Sequence, residues 1–188
     1  GVQTCALPIC DFVLKKTAEC ISGCTSEGQK VYKLVADEFL ILDVASDEAK
    51  DADKLYDKVR EAIDRFIETN EFKVMYTVSG GIVPFAALKG NQCSEALKLT
   101  DFALNEAKKL GRNRCYIFNG ETYRKFLRKR EITQELREAV INGFQGFTAF
   151  YQPVFAEDKK VPYGAEALMR FTSEKFGMIS PAEFIPIL

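Results

Sequence analysis

Apolar residues recur three and four positions apart through residues 46–70, SDEAKDADKLYDKVREAIDRFIETN, and place Ala52, Leu55, Tyr56, Val59, Ile63, Phe66 and Ile67 on one helical face. Ser46 stands where an N-cap belongs, and acids fill the first turn. Upstream, DFVLKKTAECIS spaces Phe12, Val13, Ala18 and Ile21 as a short amphipathic helix beginning near Asp11, with Gly23 and Gly28 to end it. Between these helices VYKLVADEFLILDV reads as two short strands that meet at Asp37 and Glu38, with no glycine at the bend. FKVMYTVSGGIVPF predicts a further β-rich run with a double glycine. CSEALKLTDFALNEAKKLG predicts a second long helix with Gly111 just past its end, and RCYIF a closing strand. Strands alternating with helices imply an α/β sandwich in which helices cover a sheet.

From about Asn119 to Lys129 the pattern turns basic and polar (ETYRKFLRKR), which reads as a connector or bridging helix with a solvated face. EITQELREAVINGF then predicts a helix, TAFYQPVFA a strand, DKK a turn and VPYGAEALMRF another strand. SPAEFIPIL predicts a helix with Ser180 at the N-cap and Pro181 at N1. The expected organisation is therefore a domain over 11–118, a linker over 119–130 and the opening of a second domain over 131–188, both incomplete.

Composition narrows the chemistry. The 188 residues carry a formal net charge of −1, which gives no electrostatic case for nucleic acid. Runs such as FLIL and GGIVPFAAL are far shorter than a bilayer span, so no membrane segment is expected here. Histidine is absent, which removes the commonest general base and metal ligand, so any metal would sit on carboxylate oxygens and be magnesium, manganese or calcium. The six cysteines are read as reduced cytosolic thiols. Residues 1–9, GVQTCALPI, resemble a translated sequencing-adapter oligonucleotide, and residues 1–10 are set aside from fold reasoning.

An Asp-Glu pair at a hairpin tip is by itself a weak signal. However, VYKLVADEFLIL, TVSGGI (77–82) and TDFALNEAKKLGRNR (100–114) together resemble, in order and spacing, the GGDEF family of diguanylate cyclases. The helix DFVLKKTAECI and the GRNR helix end extend that resemblance over about 11–118. It implies a cyclase-like α/β sandwich that dimerises and condenses two GTP molecules into cyclic di-GMP with magnesium. Asp37 and Glu38 match the acidic metal pair, Phe39 the closing aromatic, and Lys108 and Arg112 the phosphate contacts. The departures are large. Val35 and Ala36 replace the two glycines that let the backbone approach the nucleotide, Ser26 and Gln29 replace an inhibitory RxxD pair, and Asn105 replaces a tyrosine. The first strand, with a further metal-binding aspartate, is missing. A catalytically inactive cyclase domain is the expectation.

The second landmark, FYQPVFAEDKKVPYGAEALMRFTSEKFGMISPAEFIPIL, resembles the opening of the EAL family of cyclic di-GMP phosphodiesterases, through YQP, GAEALMR and ISPAEFIP. It implies the first helix and strands of a truncated TIM-type barrel. Glu166 is then the first carboxylate ligand of a magnesium or manganese ion, with Gln152, Leu168 and Arg170 as substrate contacts. Spacing alone puts Glu166, Leu168 and Arg170 on one face of a strand. Phe171 replaces a tryptophan, and Glu174 a proline. The later ligands and the catalytic lysine would lie beyond Leu188.

The resulting expectation is an α/β (α+β) piece of a bacterial GGDEF–EAL protein. Its parent would hydrolyse cyclic di-GMP to pGpG, dimerise and place these domains in the cytoplasm, while this piece alone would be inactive. The alternative is a non-catalytic regulatory module that binds GTP or cyclic di-GMP.

Overall fold

A computed structural model describes residues 7–44, 46, 48–69, 75–90, 92–157 and 160–188, with side chains from Asp11 onward. The chain divides into two compact units, Gly1–Gly120 and Glu121–Leu188.

The first unit opens with α1 (Leu7–Cys24). This helix starts earlier than the expected Asp11, because LPIC extends it. It packs along α2 (Ala49–Thr69), whose Leu55, Val59 and Ile63 are buried together with Ile21 of α1. Burying such aliphatic side chains stabilises by roughly 1.5–3 kcal/mol each. Cys20 and Cys24, one turn apart, donate S–H bonds to the α2 carbonyls of Ala62 and Lys58, so both thiols line the helix seam. At the same seam the buried Thr17 hydroxyl donates to the Val13 carbonyl and pairs with the Tyr76 hydroxyl at 2.9 Å. Ser46 stands three residues before Ala49 and so is not the N-cap that the sequence suggests: its hydroxyl accepts from the Glu48 amide and donates to Asp51 at 2.7 Å.

Between these helices β1 (Gln29–Lys33) and β2 (Phe39–Asp43) pair antiparallel, from Gln29 opposite Asp43 to Lys33 opposite Phe39. The apolar Val31, Phe39 and Ile41 pack against the α1–α2 core. A second, separate ladder is parallel: β3 (Gly80–Ile82) lies beside β4 (Cys115–Ile117), joined by α3 (Cys93–Lys109). The expected β-rich run over 72–85 is thus shorter than its composition suggests. Residues 72–74 lie outside the described residues, 75–79 are not strand, and only Gly80–Ile82 join a ladder. Both glycines of β3 are close to neighbours. A Cβ on Gly81 would sit 2.4 Å from the Leu104 amide nitrogen of α3, so here the strand lies directly on helix backbone.

Two groups beside this ladder carry a pH signature. Burial pushes the Tyr56 phenol up to about 12, and its hydroxyl donates to the Val78 carbonyl at 3.0 Å. Burial, with Asp53 secondary, pushes the Cys115 thiol up from its usual 9.0 to about 12. Both groups keep their protons in the folded state over a range where the unfolded chain has lost them. Their contribution is therefore complete below about pH 9 and falls as pH rises toward about 12. Chemical denaturation between pH 8 and 11 should show midpoints dropping above pH 9. Tyr56→Phe should drop less steeply, and an equal slope would refute this origin.

The second unit begins with α4, one continuous helix over Gly120–Ile141 that contains the whole expected connector except Asn119. Like α3, it ends in a Schellman motif. Gly143 takes a φ of 74°, and the Phe144 amide donates to the Ala139 carbonyl at 2.8 Å. A three-stranded antiparallel sheet follows, β5 (Phe147–Phe155), β6 (Pro162–Ser173) and β7 (Gly177–Ile179). The DKK turn expected between β5 and β6 falls largely on Asp158 and Lys159, outside the described residues. The core joins Ile132, Leu136 and Ala139 of α4 to Phe171, Ile179 and Phe184. The short α5 (Pro181–Phe184) has Pro181 at its start, but the Ser180 hydroxyl makes no capping bond, contrary to the sequence expectation. α5 also ends after one turn, in a 3₁₀ turn over Ile185–Ile187.

Candidate functional site

In the first unit Asp37 and Glu38 lie at the hairpin tip, Asp37 exposed and Glu38 half-buried. The tip is closed by backbone bonds from Leu34 to the Glu38 carbonyl (3.0 Å) and from Glu38 to the Val35 carbonyl (3.1 Å). Ala36 has a φ of 54°, in the left-handed region that glycine enters freely and alanine enters at a cost of about 1 kcal/mol. The turn thus retains a glycine-type conformation without the glycine, and the Lys33 ammonium donates to the Ala36 carbonyl. Ala36→Gly should stabilise the hairpin by about 0.5–1 kcal/mol. A higher urea midpoint would confirm this, and an unchanged or lower one would show that the turn relaxes.

Lys108 and Arg112 flank the end of α3. There Gly111 (φ 114°), Arg112 (φ 59°) and Asn113 (φ 48°) form a left-handed run, and the Arg112 amide donates to the Ala107 carbonyl at 3.2 Å. This Schellman end fixes the backbone of Arg112 while leaving its side chain exposed. Among the described residues no side-chain hydrogen bond or ion pair joins Asp37 or Glu38 to Lys108 or Arg112. At the hairpin's other end the Gln29 amide donates to Asp43 at 2.7 Å and accepts from the Ser26 amide at 2.9 Å, so Ser26 and Gln29 bond to each other and to the strand pair.

In the second unit the β5–β6 register sets Gln152 directly opposite Glu166, Phe150 opposite Leu168 and Thr148 opposite Arg170. Directly opposed residues share a face, and so do residues two apart. Gln152, Glu166, Leu168 and Arg170 therefore stand together on one face, each at least partly exposed. The Arg170 guanidinium lies 5.5 Å from the Phe150 ring centroid and donates to the Met169 carbonyl at 3.0 Å. Such a face can offer an anion a planar donor fork and a cation a carboxylate and an amide oxygen. Phe171, next in the strand, points the other way and is 1% exposed in the core.

These oxygen donors suit magnesium or manganese. Yet among the described residues no three His, Cys, Asp or Glu side chains gather into a metal-binding group. The hairpin offers two adjacent carboxylates and the ribbon one carboxylate with an amide, each fewer donors than either ion takes.

The model for the diguanylate cyclase GGDEF domain matches residues 7–114, the stretch holding the acidic hairpin, the double glycine and the GRNR helix end. The chain belongs to the GGDEF family. Two relatives extend the match past this GGDEF unit. The cyclic di-GMP phosphodiesterase NbdA of Pseudomonas aeruginosa is 27% identical over 93% of this chain and 22% of its own length. The bifunctional diguanylate cyclase/cyclic di-GMP phosphodiesterase MucR of the same organism is 26% identical over 94% of this chain and 25% of its own. The GGDEF chain thus spans about a quarter or less of these relatives. The solved Vibrio cholerae LapD S helix-GGDEF-EAL, bound to c-di-GMP, covers 95% of this chain with a TM-score of 0.47 and 20% identity, over 40% of its own length. Among the described residues no helix is long and apolar enough to cross a membrane.

Proposed function

We propose that this chain is part of a cyclic di-GMP phosphodiesterase, in which residues 131–188 open the hydrolytic EAL domain and the GGDEF unit has no cyclase activity. The carrying observation is the register that sets Gln152 against Glu166 with Leu168 and Arg170 on the same face. The match to NbdA across both units supports it. In this reading Glu166 holds a magnesium or manganese ion, which when bound supplies positive charge to a phosphodiester and acidifies a water. Arg170 takes a non-bridging phosphate oxygen, Gln152 orients the ligand through its amide, and Leu168 gives an apolar surface for a guanine ring. The remaining donors would come from outside this chain.

Val35 and Ala36, whose side chains stand where the family's two glycines let the backbone approach the nucleotide, support an inactive GGDEF unit. The full reading frame carrying this chain, purified with magnesium or manganese, should convert cyclic di-GMP to pGpG and form no cyclic di-GMP from GTP. Glu166→Gln should lower turnover at least about a hundredfold while leaving the circular dichroism spectrum unchanged. An unaffected Glu166→Gln variant would sink the assignment, as would a wild type that leaves cyclic di-GMP intact. Binding without turnover would instead favour a regulatory module. For the GGDEF unit, GTP binding lost in Lys108→Ala would mark a retained nucleotide site.

A further inference from the structure

Cys20 and Cys24 stand one turn apart on α1, both half-buried, and both face the same stretch of α2. Their acceptors, the carbonyls of Ala62 and Lys58, are themselves four residues apart and lie 3.8 and 3.6 Å from the two sulfurs. The sulfurs therefore sit side by side along the seam. A thiol is a weak donor, and at these lengths each bond holds its proton only lightly. Among the described residues no third His, Cys, Asp or Glu gathers with them, and the sequence contains no histidine.

Helical spacing decides what this pair can do. Residues four apart on a helix have Cβ atoms about 5–6 Å apart, whereas a disulfide needs about 3.5–4.5 Å. A direct S–S bond would require the last turn of α1 to unwind. One atom held between the sulfurs needs no such change, because two metal–thiolate bonds of about 2.3 Å set the sulfurs as much as about 4.6 Å apart. Zinc takes four ligands where the pair offers two, and magnesium and calcium take oxygen. Two soft thiolates with no further ligand select a soft monovalent ion, which among biological metals is Cu(I).

We propose that Cys20 and Cys24 form a two-coordinate Cu(I) site on the α1–α2 seam. Binding releases both thiol protons to solvent: Cu⁺ and two R–SH give Cu(SR)₂⁻ and two H⁺, with no change of oxidation state. Burial, and after it the neighbouring Cys24 thiol, pushes the Cys20 thiol up, so its proton leaves when the metal displaces it and not beforehand. Lys16 and Arg65 act on Cys20 in the opposite sense, favouring its ionised form, and they offset the single negative charge of the complex.

Anaerobic titration of the reduced 188-residue chain with Cu(I) held by the chromogenic chelator bicinchoninate tests this. The wild type should withdraw one equivalent, and X-ray absorption of that form should show two sulfur neighbours. Cys20→Ser and Cys24→Ser should each weaken retention at least about a hundredfold with unchanged circular dichroism, since one thiolate remains. Cys93→Ser should retain the ion, as should Cys5→Ser combined with Cys10→Ser. Adding Ser22→Cys to Cys24→Ser should not restore binding, because residues two apart on a helix do not face each other. Saturating Cu(I) should also raise the urea midpoint of the wild type and leave that of Cys24→Ser in place. A wild type that leaves Cu(I) with the chelator overturns the proposal. So does retention unaffected by both serine variants, as adventitious capture by the exposed Cys93 would give. A third ligand in the absorption spectrum, or full restoration by Ser22→Cys, overturns it equally.

Discussion

Replacing Gly81 by valine should abolish the cooperative folding of the first unit. A Cβ there would lie 2.4 Å from the Leu104 nitrogen and 2.9 Å from both the Ala103 carbonyl carbon and the Thr100 oxygen, all of them α3 backbone. No rotamer change can clear backbone atoms, so the strand or the helix must move by an ångström or so. That movement would strip Leu99, Phe102, Ala103 and Ala107 of their packing, because the same helix face buries them. Overpacking costs typically about 1–3 kcal/mol per site. Here the collision falls on two regular elements at once, and a loss of at least about 3 kcal/mol is expected, a large share of a domain's total stability. Gly80 provides the control. Its added Cβ would meet the Tyr56 ring at 2.9 Å and the Cys115 sulfur at 3.1 Å, both side-chain atoms that can shift. Gly80→Ala should therefore cost clearly less than Gly81→Ala in urea unfolding, and the reverse order would disprove the close-approach reading of this glycine pair.

Phe171→Ala should have a comparable effect on the second unit. The Phe171 ring is 1% exposed and lies 4.6 Å from the Phe147 ring centroid and 6.0 Å from that of Phe184. It is the point where β6, α4 and α5 meet, in a core that among the described residues has six buried apolar side chains. Truncating a buried phenylalanine costs about 3–5 kcal/mol, which a core this small cannot absorb. Loss of the near-ultraviolet dichroism of residues 121–188 in the full chain would confirm it. A variant within about 1 kcal/mol of wild type would show that the aromatic cluster repacks. Phe171→Leu should recover about half of the loss, because it refills most of the space without the ring contacts.

Much of this molecule was legible because its signals are local. The apolar stripe of α2, the glycine that ends α3 and the turn acids of the β1–β2 hairpin each act within a few residues, and the helices and hairpin they imply are present. Other features depend on partners distant in sequence. Nothing in FKVMYTVSGGIVPF says that only Gly80–Ile82 will find a ladder, because that depends on β4, more than thirty residues away. The connector and the helix after it read as two segments because their compositions differ, whereas hydrogen bonding runs unbroken from Gly120 to Ile141. Ser180 has the right chemistry for a cap, yet its helix is one turn long and its hydroxyl is not used. Strand periodicity alone put Glu166, Leu168 and Arg170 on one side. The placement of Gln152 opposite Glu166 required the register, which no spacing within either strand encodes. The α1–α2 thiol bonds and the Thr17–Tyr76 pair left no sequence signal that could have found them.

Burial along β6 is graded: residues near Pro162 are exposed, while Phe171 and Ser173 are buried. Amide protons should accordingly exchange slowest around Phe171 and progressively faster toward the irregularity at Val154/Phe155, as in a zipper fastened at one end. Glu166 and Gln152 lie partway along that zipper. Their alignment is therefore exposed to fraying, and whatever packs over the open ribbon would govern how long the carboxylate and the amide stay opposed.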